Sequence, residues 1–127
     1  MIYIEKFNET FKEFIEDLIR IFPDDPEFRL YEIAIMGALN TNELLVINIF
    51  NEHVVKPYGD KLLEKDNDFF VSHKYDHLLT MNESAMDIID KIKSYWCEMS
   101  DDVKETVWKY FKVLILLDKK YRTLTST

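Results

Sequence analysis

The stretch from Lys104 to Arg122, KETVWKYFKVLILLDKKYR, constrains the fold more than any other part of this chain. Val103, Val107, Tyr110, Leu114, Leu117 and Tyr121 alternate by four and three residues, which is the spacing of a helical seam. At 100° per residue, Trp108, Phe111 and Ile115 fall roughly 100–160° from that seam. A surface helix needs one apolar stripe. This helix is therefore either central to a bundle, with both faces buried, or it keeps its second face for a partner.

The rest of the chain supports a helical reading. Among 127 residues there are two glycines and three prolines, too few for the tight turns a strand-rich fold requires. Ile4, Phe7, Phe11, Phe14, Leu18 and Ile21 predict a first amphipathic helix of about five turns, ending before Pro23. Asp25-Pro26-Glu27 restarts the helix with a capping acid, a proline at the first position and an acid in the first turn. Leu30, Tyr31, Ile33, Ala34, Ile35, Met36 and Leu39 leave the second helix apolar nearly all round, the mark of a buried helix. A third helix is expected over 43–51, after a polar break at 40–42, and a fourth opened by Pro57 and running to about Lys65. Phe69-Phe70-Val71 is expected as an anchor, 72–82 as the longest loop, and a fifth helix between Ala85 and Met99. Ser100 caps the last helix, with Asp101 and Asp102 in its first turn.

The expectation is an all-α, single-domain bundle of about six helices, with the C-terminal or second helix buried. It spans residues 1–122 and ends in a polar tail, 123–127. Phe14, Leu18, Ile33, Ile92, Leu114 and Leu117 are expected in the core.

Composition narrows the functional classes. The formal charge is −8, which disfavours general affinity for phosphate backbones. The charge is uneven: residues 1–60 carry five basic and twelve acidic side chains, whereas residues 104–122 carry six and two. Lysines at a helix C-terminus complement the dipole, and they could equally form an edge for an acidic partner. One cysteine, Cys97, excludes an intramolecular disulfide and reads as a core or boundary thiol. The longest apolar run, Val113–Leu117, falls far short of the roughly 20 residues that cross a bilayer. No basic and apolar leader is evident, so a soluble intracellular protein is expected.

Signatures of chemistry are weak. His73 and His77 stand four apart, a spacing that can share a metal on a helix, with Asp76 and Cys97 as further donors. The glutamate of a zincin motif is absent, since residue 74 is Lys, and no metal or cofactor is expected. Asp66-Asn67-Asp68 lacks the glycine and final acid of a calcium loop, Val71 and His77 standing there instead. There is no nucleophile elbow and no glycine-rich phosphate cradle.

Three segments together carry a resemblance: FxxFxxDLIxxFPDDxxFRxY over 11–31, VVxPYGxxLLxxDxxFF over 54–70, and KIKxYWxxM…VWKYFKVLxLLDKKY over 91–121. They resemble a family of short, mostly uncharacterised proteins of nucleocytoplasmic large DNA viruses, phycodnavirus-like and giant viruses among them. A more distant similarity is to a small virion-packaged protein of the African swine fever virus group. The resemblance implies a setting, infected-cell cytoplasm or virion, and no mechanism.

The functional expectation is a non-enzymatic helical interaction protein, a virion component or scaffold, binding a protein partner or itself. Trp108, Phe111, Ile115, Lys112 and Lys119 are the candidate contact residues. The alternative is a small nucleic-acid-associated factor using Lys109, Lys112, Lys119, Lys120 and Arg122.

Overall fold

The computed structural model describes residues 2–64 and 91–125, which contain helices and no strand. Helix α1 spans Ile2–Ile21, α2 Glu27–Thr41, α3 Leu45–Phe50 and α4 Lys56–Leu63. Residues 91–95 form α5, followed by a 3₁₀ turn at Trp96–Glu98, and α6 spans Asp101–Thr125. The motif at Asp66–Asp68, the anchor at Phe69–Val71, the loop at 72–82 and the pair His73 and His77 lie outside the described residues.

The punctuation read from the sequence sets the helix ends. Asp25 accepts the Glu27 N–H through Oδ1 at 2.9 Å, and Ser100 Oγ accepts the Val103 N–H at 3.2 Å. Each carboxylate or hydroxyl satisfies a donor that the helix cannot pair internally. At the other end, α6 continues to Thr125, past the start of the expected tail. Thr123 Oγ1 donates to the Lys119 carbonyl at 2.9 Å, so the last turns keep a local partner.

The third and fourth helices are not separated. Between them Asn51–Val55 forms a π-helical turn, in which the Lys56 N–H donates to the Asn51 carbonyl five residues back. Pro57 has no N–H to donate. The widened turn therefore ends just where the hydrogen-bond ladder would have lost a rung, and the chain stays helical from Leu45 to Leu63. A bend of 114° separates α2 from Leu45–Val55.

The core is a layer of aromatic and aliphatic side chains between α1 and α6, closed at its sides by α2, α3, the π turn and α4. α1 contributes one stripe: Ile4, Phe7, Phe11, Phe14, Ile15 and Leu18 are buried. Phe7, Phe11, Phe14, Phe50 and Phe111 form a continuous ring cluster with centroid separations of 5.4–6.5 Å. Trp96 meets Trp108 edge-on at 5.4 Å, and Phe22, Phe28 and Tyr95 pack mutually, with Phe22 stacked on each of the other two. Such offset and edge-to-face arrangements add to the area these rings bury.

α6 is the central helix, with α1 on one side and α4 and the π turn on the other. Its buried residues are Val107, Trp108, Phe111, Leu114, Ile115 and Asp118. Val103, Tyr110, Leu117 and Tyr121 are only partly buried. The centre of burial is thus rotated roughly 70° from the seam read in the sequence. Two neighbours flank the helix, so seam and second stripe merge into one broad buried face. Leu117 is a core neighbour rather than a core residue.

α2 departs furthest from expectation. Only Phe28 and Ile35 are buried, while Ile33 is 68% exposed and Leu30 61%. The helix packs on α1 and α3, and Phe28 at its start also meets Tyr95 of α5. Ile33 is therefore a surface residue, and the buried helix of the bundle is α6.

Candidate interaction surfaces

The face of α6 expected to serve a partner is used up inside the chain. Trp108 retains 5% of its surface, and Phe111 and Ile115 are fully buried. Trp108 packs on Trp96, whose ring also lies under Lys104 Nζ at 5.4 Å; Phe111 packs on Phe14 and Phe50. None of the three can reach a partner while the chain is folded. Lys112 and Lys119 are exposed on the outer side of α6, where Lys119 stands 3.8 Å from Asp60 of α4. The structure therefore divides the five candidate residues between interior and surface.

The basic edge also changes. Lys109, Lys112, Lys119 and Lys120 are exposed, but Arg122 turns inward. Its Nε donates to Asp118 Oδ1 at 3.1 Å, and one terminal nitrogen donates to Asn48 Oδ1 at 2.8 Å and to the Ile47 carbonyl. Asp118 is fully buried and also accepts Asn51 Nδ2 at 2.7 Å. A buried carboxylate is tolerated only when paired and hydrogen-bonded. The network joins the π turn and α3 to α6 and holds their register. It was visible in principle: Asp118 follows Phe111, Leu114 and Ile115 at spacings of seven, four and three, and so lies on their face.

A second polar cluster ties α5 to the α1–α2 turn. Tyr95 donates its hydroxyl to Asp25 Oδ2 at 2.6 Å, and Lys91 Nζ lies 3.2 Å from Asp25 and 3.1 Å from Glu27. Together with Phe22, Pro23, Asp24 and Pro26 these groups line an open pocket. The Tyr95 hydroxyl, ahead of the Glu27 N–H and Lys91, holds the Asp25 carboxyl below its ordinary 3.8, against burial, which raises it. Burial pulls Lys91 down, but its bonds to Glu27 and Asp25 outweigh that and leave it raised. The same hydrogen bond to the Asp25 carboxylate raises the Tyr95 hydroxyl above its ordinary 10.0.

The sign of the pH dependence follows. A depressed carboxyl stabilises the fold above its unfolded value, and that contribution is lost as pH falls from about 3.8 through the lowered folded value. The raised Tyr95 contributes below its unfolded value and loses that contribution as pH climbs past 10.0. Tyr95→Phe is therefore expected to flatten the fall of stability below pH 3.8, measured by urea unfolding across an acid pH series. An unchanged acid slope would show that the bond does not hold Asp25 down.

An exposed apolar stripe runs along α2. Leu30, Ile33, Ala34 and Gly37 are all exposed and recur at i, i+3, i+4 and i+7, opposite the face that packs Phe28 and Ile35. Met36 is exposed at their edge. A Cβ added at Gly37 would meet nothing within 4 Å, so the C-terminal end of the stripe is open to close approach. The sequence signal was an apolar circumference, which does not distinguish a helix buried by its own chain from one with a face to spare.

Cys97 is exposed, correcting its reading as a core or boundary thiol. The 3₁₀ turn sends Trp96 inward and leaves the next residue outside. No group of three or more His, Cys, Asp or Glu among the described residues is arranged to hold a metal. No described helix is by itself long and apolar enough to cross a membrane. No protein-family model, curated protein or solved structure matches the chain.

Proposed function

We propose that this protein is a helical interaction protein, without catalysis of its own, that engages another protein through the outer face of α2. The carrying observation is the pair Leu30 and Ile33, both more than three-fifths exposed on the side of α2 away from the core. An i, i+3, i+4, i+7 set of apolar residues is what a helix presents to a hydrophobic groove or to a second helix. Gly37 adds room for close backbone approach. The occupant this chemistry fits is an apolar helix or groove on a protein partner. The resemblance to large DNA virus proteins supplies the proposed setting, a virion or the cytoplasm of an infected cell.

The charge of the chain argues against the nucleic-acid alternative. Four exposed lysines on α6 face a net charge of −8, and Arg122 is engaged at Asp118.

The test compares wild type with the double variant Leu30→Ser, Ile33→Ser in crosslinked capture from the source cell. The reading expects a specific partner held by wild type and lost by a double variant with an unchanged circular dichroism spectrum. The same partners on both chains would overturn it.

A further inference from the structure

A different face carries a separate inference. α1 and α6 run antiparallel: Lys120 Nζ sits 5.9 Å above the Tyr3 ring, and Tyr110 donates its hydroxyl to Asp17. Their shared outer face is grooved along its length. Toward the start of α1 it is lined by Tyr3, Leu116, Lys119, Lys120 and Leu124. Toward the end of α1 it is lined by Glu13, Glu16, Asp17, Arg20 and Tyr110. Between them lie Thr10 and Val113.

The charges along this face are segregated. Lys119, 3.8 Å from Asp60 of α4, and Lys120 stand at one end, and helical spacing from Tyr3 puts Lys6 beside them, so that end remains net positive. Glu13, Glu16 and Asp17 stand at the other; Arg20 is paired to Asp17, and Lys109 lies nearby, so the end remains net negative. Ten residues of α6, about 15 Å, separate Tyr110 at the acidic end from Lys120. Val113 and Leu116, 43% and 42% exposed, lie between the two ends. A face that is basic at one end, acidic from Glu9 to Asp17 toward the other and apolar on α6 between them is complementary to itself after a half-turn. That is the requirement for an isologous two-fold contact.

We propose that the α1/α6 face binds a second copy of this chain about a two-fold axis near Val113 and Leu116, with Lys119 and Lys120 of each copy over Glu13 and Glu16 of the other. Two neighbouring helices, each about 10 Å wide and about 30 Å long, offer at most about 600 Å² per copy. A standard stable interface uses about 800 Å² per partner, so the dimer is weak and depends on its charges. It does not use Leu30 or Ile33, and it stands or falls apart from the α2 reading.

Sedimentation velocity on the full chain tests it, at about 20 mM and about 500 mM salt. The expected result is a dimer that dissociates at high salt. The variants Lys119→Glu, Lys120→Glu and Glu13→Lys, Glu16→Lys each juxtapose like charges twice in the symmetric contact. Each should weaken self-association at least about a hundredfold. Mixing the two variants makes every one of those contacts attractive again, so the mixture should form a dimer that neither forms alone. A monomer at every salt concentration overturns the proposal, as does a mixture that stays monomeric. A dimer indifferent to salt and to both charge reversals, but lost in Leu30→Ser, Ile33→Ser, overturns it too and leaves the α2 surface standing.

Discussion

Trp108→Ala is expected to lower the unfolding free energy by about 3–5 kcal/mol, the cost of removing a buried tryptophan and leaving its space incompletely filled. The physical setting makes collapse of that space difficult. Trp96 meets Trp108 edge-on and is itself buried, and Val107, Phe111 and Ile115 on the same helix are fixed by their own packing. Association should be unaffected, because Trp108 has almost no surface to offer. Urea unfolding gives the first quantity and sedimentation the second. A variant with wild-type stability would place Trp108 outside the core and restore it as a contact residue.

Asp118→Ala is expected to cost about 3 kcal/mol, at the lower end of the range for breaking a buried ion pair. The substitution strands the Asn51 amide and removes the counter-charge of Arg122. About a third of the Arg122 side chain reaches solvent, so water takes up part of its charge and limits the loss. Replacing both members of the pair, Asp118→Leu with Arg122→Met, should recover much of the stability, since an apolar pair carries no desolvation cost. Thermal or urea unfolding of the single and double variants forms the check. A single variant as stable as wild type would mean the network contributes nothing to holding α3 and the π turn against α6.

These two expectations rest on features that the sequence revealed unequally. α1 was largely legible, because one stripe of Ile4, Phe7, Phe11, Phe14 and Leu18 meets one core; Ile15 is buried beside that stripe, and Ile21, expected on it, is only partly buried. The boundary at Asp25-Pro26 and the cap at Ser100 were legible for a local reason: short polar side chains bond backbone donors two or three residues away. α6 was legible as a helix with two apolar faces but not in its orientation. Periodicity reports how many apolar faces a helix has, and the neighbours that rotate the buried centre onto Phe111 and Leu114 are distant in sequence.

The same limit misplaced α2. Ile33 and Ile35 are chemically alike and two residues apart, yet one is exposed and the other buried. Only the position of α1 and α3 decides which of them faces inward. The π turn at Asn51–Val55 has no composition signature, and it removed the break expected before Pro57. Of the candidate contact residues, Lys112 and Lys119 were placed on the surface and the three apolar ones inside. An exposed apolar pair, Ile33 with Leu30, lies instead on a helix whose all-round hydrophobicity had suggested burial.

The central claim is that Leu30 and Ile33 of α2, and not Trp108, Phe111 and Ile115 of α6, form the exposed apolar face proposed for a protein partner. The free energy of unfolding of Ile33→Ser, measured by urea denaturation beside wild type, tests it most directly. A side chain 68% exposed contributes little to the core, and the change should stay within about 0.5 kcal/mol. A loss of about 2 kcal/mol or more would mean that the folded chain covers Ile33 itself, and α2 would then have no face to offer a partner.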